Sequence, residues 1–422
     1  LRPRIDELRR ELTEVRALLL AGREADAGAP LAAIVGEART LGYGPLLAEA
    51  LYLLGRERAN EPPAAIAAFD EAEYTATVSR VDYLAARAAA RRLGAGALTT
   101  ADEPLRRSWA DRARAWVQRD GDLEAEFDLE TGLALIASQA GEHAEAERHF
   151  RRALDVGTRV FGDANARVSS VQGSFGLVLV QMGRFDDAIA ILGKSIATDE
   201  RAYGGETRTF AATLDNYGLA LAMVGRFRDA RAALERALAI KSTVAWVRGA
   251  VMCDLARVAV GEGDSARAIE LGKQGLATIE ANQPNGFYVA INEDPLAAAY
   301  AAANRPADAL ATARDCLAHF AKANNTGLDT VACLTLEGAA LADTGHPADA
   351  VPELERALQL QTGHVAAPGV LADIQFQLAR ALAASGKDRE RARELAARAR
   401  EELARYPFKQ AELAQLDAWA AR

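Results

Sequence analysis

The stretch Gly183–Ile196, GRFDDAIAILGKSI, returns 42 residues later as Gly225–Leu238, GRFRDARAALERAL. In both copies the small or apolar side chains fall five, nine and twelve places after the glycine: Ala188, Leu192 and Ser195, then Ala230, Leu234 and Ala237. That spacing puts them on one stripe of an α-helix. Small residues at two of the three places let a second helix come close. Each copy therefore reads as a turn followed by a helix with a partner packed against it.

Working outward, the turn position recurs at Gly141, Gly183, Gly225, Gly263, Asn304, Gly345 and Gly386, with steps of 38 to 42 residues. Glycine and asparagine are the residues that best tolerate the left-handed conformation closing a helix, so this position marks a helix end. The downstream stripe also recurs, as Ala146, Phe150 and Ala153, and as Ala350, Leu354 and Ala357. A small residue stands seven places before each turn from Gly183 onward: Gly176, Gly218, Ala256, Ala297, Gly338 and Ala379. Gly55 lies two periods before Gly141, and Gly94 and Gly96 fill the gap as a further turn. The pattern predicts an all-α chain of about eight helix-turn-helix pairs.

Composition agrees. Half of the residues are hydrophobic and 6% are aromatic, so alanine and leucine carry the apolar burden, which suits closely packed helices. A net charge of −9 opposes the phosphate-neutralising surface of a nucleic-acid binder. Cys253, Cys316 and Cys333 have no Cys-x-x-Cys spacing and sit among apolar helical residues, which predicts free thiols in a reducing, cytoplasmic setting. The most apolar run, PLAAAYAAA from Pro295, is too short to span a bilayer, so no membrane insertion is expected in this segment. The chain begins at Leu1, which reads as a piece of a longer protein.

The ends and one internal unit depart from the repeat. Ile5, Leu8, Leu12, Val15, Leu18 and Leu19 form one stripe, either a capping helix or a coiled-coil linker. Leu413, Leu416 and Trp419 form another that closes the last repeat. Between Glu280 and Asn304, Pro284, Asn285 and Gly286 break the helix, and Asp294 before Pro295 makes a cap and first-turn pair, so the next helix should be short. Phe287 and Tyr288 either pack into that break or form an exposed patch.

On these residues the chain resembles the tetratricopeptide repeat family, and its 42-residue units with FGDANA and YGGETR loops and an LDNYG helix are similar to those of kinesin light chain. The resemblance implies a right-handed superhelix, an α-solenoid, with capping helices at both ends. It divides the chain into capping or linker helices (1–42), divergent helical repeats (43–120), a regular repeat array (121–405) and a C-terminal capping helix (406–422). The phrases from Ala38 to Gly55 and from Phe376 to Ala404 further resemble the C-terminal repeat regions of bacterial, especially myxobacterial, serine/threonine protein kinases.

No catalytic constellation accompanies the repeats. Kinase catalytic motifs are missing, GYGPLL at Gly42 lies between helices, and the five histidines show no metal-ligand spacing. No catalytic residue, cofactor or metal is expected. The resemblance instead directs attention to the concave face lined by the first helix of each pair. Counting the turn glycine as position 15 of a unit, the inward-facing candidates are Asp128, Thr131, Ser138 and Gln139; Ser170, Ser174 and Gln181; Asp215, Asn216 and Met223; Asp254 and Arg257; and later Asp294, Thr335, Asp343, Asp373, Gln377 and Arg380. Kinesin-light-chain-like repeats hold a ligand backbone with asparagines; Asn216 matches that position, and Ser174 and Asp254 stand at its equivalents. The face leans acidic, which favours a basic peptide or protein partner. The expected function is a protein-interaction scaffold, the non-catalytic docking or sensor region of a bacterial serine/threonine kinase, cytoplasmic and joined to a membrane anchor through sequence outside this segment. The repeat portion of an ATP-dependent, P-loop transcriptional or defence regulator is the alternative.

Overall fold

A computed structural model describes residues 1–20, 23–59, 61–97, 99, 103–204, 208–241, 243–282, 286–323, 325–364 and 367–421; among them no strand occurs. The chain divides into two compact units, Leu1–Val178 and Leu179–Arg422. Unit 1 contains α1 (Arg2–Leu20), α2 (Glu24–Leu41), α3 (Gly44–Glu57), α4 (Pro62–Val78), α5 (Asp82–Ala97), α6 (Glu103–Asp120), α7 (Leu123–Gln139), α8 (His143–Phe161) and most of α9 (Ala166–Gln181). Unit 2 contains the end of α9, then α10 (Phe185–Tyr203), α11 (Arg208–Met223), α12 (Phe227–Ala239), α13 (Ala245–Gly261), α14 (Ser265–Asn282) and the short α15 (Gly286–Ala290). It continues with α16 (Asp294–Ala302), α17 (Pro306–Lys322), α18 (Val331–Asp343), α19 (Pro347–Gln361), α20 (Val370–Ser385), α21 (Arg389–Leu403) and α22 (Gln410–Ala420).

The repeating turn position is left-handed in every copy, with φ between +54° at Asn304 and +86° at Gly345. The stripe after each turn is fully buried: Ala146, Phe150 and Ala153; Ala188, Leu192 and Ser195; Ala230, Leu234 and Ala237; Ala350, Leu354 and Ala357. Each leucine so placed contributes about 2 kcal/mol of apolar burial. The small residue seven places before the turn is what the leucine packs on. A Cβ added at Gly218 would strike Leu234, and one at Gly338 would strike Leu354.

Gly55, Gly94 and Gly96 are not turns, contrary to the expected phase. They lie inside α3 and α5. Gly55 lets the Phe69 ring of α4 approach, and Gly96 does the same for the Trp109 ring of α6. These glycines occupy the helix-crossing role that Gly218 plays further on, and the true breaks follow Glu57 and Ala97.

Within each unit, first helices lie beside the next first helix: α5 on α7 in unit 1; α11 on α13, α13 on α16, α16 on α18 and α18 on α20 in unit 2. Among the described residues no comparable packing joins one second helix to the next. The first helices thus form the more tightly gathered, inner layer of each unit. At the N-terminus, Ile5, Leu8, Leu12 and Val15 of α1 are buried in a cluster with α2, α3 and α4. At the C-terminus, Leu416 is buried, with Leu413 and Trp419 against α20 and α21.

The irregular unit has the short helix that the sequence predicts: α16 is 9 residues long. Asp294 is its first helical residue, and its carboxylate bonds Arg257 instead of capping the helix. Tyr288 packs against the Trp246 ring at 5.5 Å; the side chain of Phe287, together with Pro284 and Asn285, lies outside the described residues. One expectation fails outright. Cys316 of α17 and Cys333 of α18 form a disulfide, and only Cys253 is a free, buried thiol. The chain turns back between α17 and α18, so two cysteines 17 residues apart come to a Cα separation of 6.3 Å, inside the range that a disulfide spans.

Candidate ligand-binding face

The inner layer of unit 1 is a lattice of ion pairs across neighbouring first helices. Arg87 on α5 bonds Asp122, the N-cap of α7, at 2.8 Å and Glu124 at 2.7 Å. Arg91 bonds the buried Asp128 at 2.8 Å. Arg167 on α9 reaches back to Glu124 at 2.6 Å and Asp128 at 2.7 Å. Its guanidinium also lies over the rings of Phe127 and Phe161, 4.9 and 4.3 Å from their centroids. Three arginines therefore neutralise three carboxylates. Arg56, near the end of α3, makes no ion pair among the described residues; burial lowers its pKa, and the neighbouring Arg91 lowers it further.

Unit 2 is organised differently. Arg257 on α13 is shared by Asp254, one turn away at 3.5 Å, and by Asp294 of α16 at 2.9 Å. Among the described residues Asp215 on α11 pairs with no arginine, and its Oδ1 is shut off from solvent without a hydrogen-bond partner. Burial pushes the Asp215 carboxyl well above the usual range, and the negative charge of Asp254 adds to the shift. Burial also pushes Asp254 up to about 6; Arg257 pulls it back and Asp294 pushes it further. The cluster holds three carboxyls against one guanidinium. Asn216, beside Asp215, is half-buried.

Most of the remaining candidates are already engaged within the chain. Thr131 and Ser174 donate their hydroxyl protons to carbonyls one turn back, at 2.8 and 3.3 Å. Gln139 and Gln181 are exposed at the ends of α7 and α9. Gln377 donates to Asp373 at 3.1 Å and accepts from Arg380 at 2.7 Å, while Arg380 also pairs with Asp343 of α18. Gln377, Asp373 and Phe376 line a cavity of about 170 Å³ with Lys409, Glu412 and Gln415. The acidic lean therefore holds for the Asp215–Asp254 cluster and is cancelled in unit 1 by Arg87, Arg91 and Arg167, which sequence reasoning missed. Their signal was present as a spacing: Arg91 and Asp128, Arg257 and Asp294, and Asp343 and Arg380 are each 37 residues apart. One such step carries a side chain from a first helix to the next. Among the described residues no cluster of His, Cys, Asp and Glu could hold a metal ion, and no helix is long and apolar enough to cross a membrane.

The tetratricopeptide repeat family model matches residues 125–201 and 167–243. No curated protein matches the sequence. Among solved structures, a Rap protein complexed with competence and sporulation factor superposes with a TM-score of 0.59 at 13% identity, covering 98% of this chain and 99% of that one. The apo form of the quorum sensor NprR from B. thuringiensis gives a TM-score of 0.58 at 12% identity, covering 85% of this chain and 99% of that one. Kinesin-light-chain repeats from Podosopora anserina are 23% identical, covering 46% of this chain and 95% of that one, with a TM-score of 0.37. The first two show a shared all-helical repeat fold along the chain.

Proposed function

Residues 125–243 of this chain are tetratricopeptide repeats, and from that premise we propose that it is a non-catalytic interaction scaffold binding a peptide or protein segment on its inner layer. One relative of the same fold was solved with competence and sporulation factor bound, and another is a quorum sensor. The observation that carries the reading is the Asp215 carboxyl, with the half-buried Asn216 beside it in the chain. Elsewhere on the inner layer, acids such as Asp122, Asp128, Asp294 and Asp343 are met by arginines, whereas among the described residues the Asp215 Oδ1 is shut off from solvent without a hydrogen-bond partner. A buried polar group left unsatisfied is costly, and a ligand that satisfies it gains that difference on binding.

The ligand that suits this cluster is a basic segment. A lysine or arginine side chain would offset the mutual repulsion of Asp215 and Asp254, and Asn216 would hydrogen-bond the backbone beside it. The test is titration of peptides of one length and graded charge against the wild type and Asp215→Ala/Asp254→Ala. Basic peptides should bind the wild type at least tenfold more tightly than acidic ones, and the double substitution should remove the preference. Equal affinity for both charge classes in the wild type would sink the reading.

The wider setting we infer is the docking or sensor region of a bacterial serine/threonine protein kinase, supported by the resemblance of residues 38–55 and 376–404. Sequencing the coding region upstream of Leu1 decides it. A kinase catalytic core followed by a transmembrane helix is expected; a P-loop NTPase module there would favour the transcriptional or defence regulator instead.

A further inference from the structure

Residues of a stacked repeat array ordinarily touch only their neighbours along the stack. Phe408 breaks that rule. It lies in the tight helical turn Pro407–Lys409 that leads into α22, yet its ring lies against Gly225 in the turn between α11 and α12, where a Cβ would collide with it. The two positions are separated by the helix pairs α13/α14, α16/α17 and α18/α19 before α20/α21 is reached. The same turn position elsewhere in unit 2, at Gly263, Gly345 and Gly386, faces open space. Phe408 is held in place from its own side: Lys409 packs on Gly369 at the start of α20 and pairs with Glu412 at 2.8 Å, and Tyr406 lies 6.0 Å from the Phe408 ring.

We propose that Tyr406–Lys409 is a strap that docks on the α11–α12 turn and holds unit 2 closed, fixing the spacing between the first helix bearing Asp215 and Asn216 and the first helix bearing Gln377 and Arg380. An array whose other contacts are between neighbours flexes easily along its length, so one contact across several pairs restricts it out of proportion to its size. Phe408 is only half-buried, which makes the contact one that exchanges between docked and released states. Release widens the inner face, and any ligand that prefers one aperture shifts the strap reciprocally. The strap stands independently of which ligand the face takes.

Hydrogen exchange on the full chain tests it without a ligand. In Phe408→Ala, exchange should rise several-fold both at residues 406–412 and at the distant turn amides of Gly225 and Arg226, which in the docked state bond Ala222 and Leu221 carbonyls. A rise confined to residues 406–412 overturns the proposal. A second comparison uses backbone strain as its own control. Gly225→Ala and Gly263→Ala carry the same left-handed penalty, but only the first meets Phe408. Gly225→Ala should lower Tm by several degrees more than Gly263→Ala, and the excess should vanish when Phe408→Ala is added; equal losses overturn the strap.

Discussion

Asp254 is held between opposing influences: burial and Asp294 favour its neutral form, and Arg257 favours its charged form. Its pKa in the folded chain is about 6, against about 3.9 in an unfolded chain. Between those values the native state keeps a proton that the unfolded state has lost, so the stability that Asp254 contributes falls as pH rises from about 4 to about 6. Asp215, raised in the same direction, adds to the fall. Asp254→Asn removes one of the two charges and relieves Asp215. We expect it to flatten the pH dependence and to raise stability at pH 7. Urea unfolding of wild type and variant from pH 4.5 to 8 measures this, and identical slopes would show that the carboxyl is not held protonated. The residues of this cluster were legible because Asp215, Asn216, Asp254 and Arg257 fall at inward-facing positions of the repeat count, Asn216 and Asp254 at the same one. The neutralising arginines of unit 1 were not. A 37-residue step signals an ion pair only once it is known which helices adjoin; Arg87 and Arg91 lie on α5, where the repeat phase is shifted, and Arg167 stands at the start of α9, ahead of the inward-facing positions counted there.

At the scale of the helix pair, glycine serves two purposes that sequence alone does not separate. At Gly141 through Gly386 it turns the chain; at Gly55, Gly96, Gly218 and Gly338 it opens a crossing point for a large side chain. The two uses predict opposite outcomes for substitution. Gly338→Val forces side-chain atoms into Leu354 and should cost about 2–3 kcal/mol. Gly94→Ala, inside α5 with nothing within 4 Å of the added methyl, should be neutral or gain up to about 1 kcal/mol from helix propensity. Thermal unfolding of the two variants is the measurement, and a stability loss for Gly94→Ala equal to that for Gly338→Val would contradict the assignment of crossing points. The regular helices and their small-residue crossings could be read from Gly141 onward because the period repeats there. Upstream, where a helix-internal glycine imitates a turn, the reading slipped by several residues.

Across unit 2, stability is a sum of neighbouring interfaces, so local changes should spread only along the stack. The Cys316–Cys333 disulfide joins α17 to α18 and so ties the pair α16/α17 to the pair α18/α19. Closing a loop of this length constrains the unfolded chain by about 3 kcal/mol. The sequence could not reveal it: three cysteines without a spacing motif allow three pairings or none, and only the antiparallel return of α18 selects one. Reduction weakens the interface at that point, and the pairs beyond it, α18/α19 and α20/α21, should then open without the rest. The strap adds a second consequence, because Phe408 lies past α21 and must leave Gly225 when α20 and α21 open. Hydrogen exchange under a water-soluble phosphine should therefore rise in α18–α21 and at the α11–α12 turn, while α3–α8 of unit 1 stay protected. A uniform rise over the whole chain would mean one cooperative structure, whereas a rise in α18–α21 that spares the α11–α12 turn would mean that the far end of unit 2 opens without disturbing the contact at Gly225, and would overturn the strap.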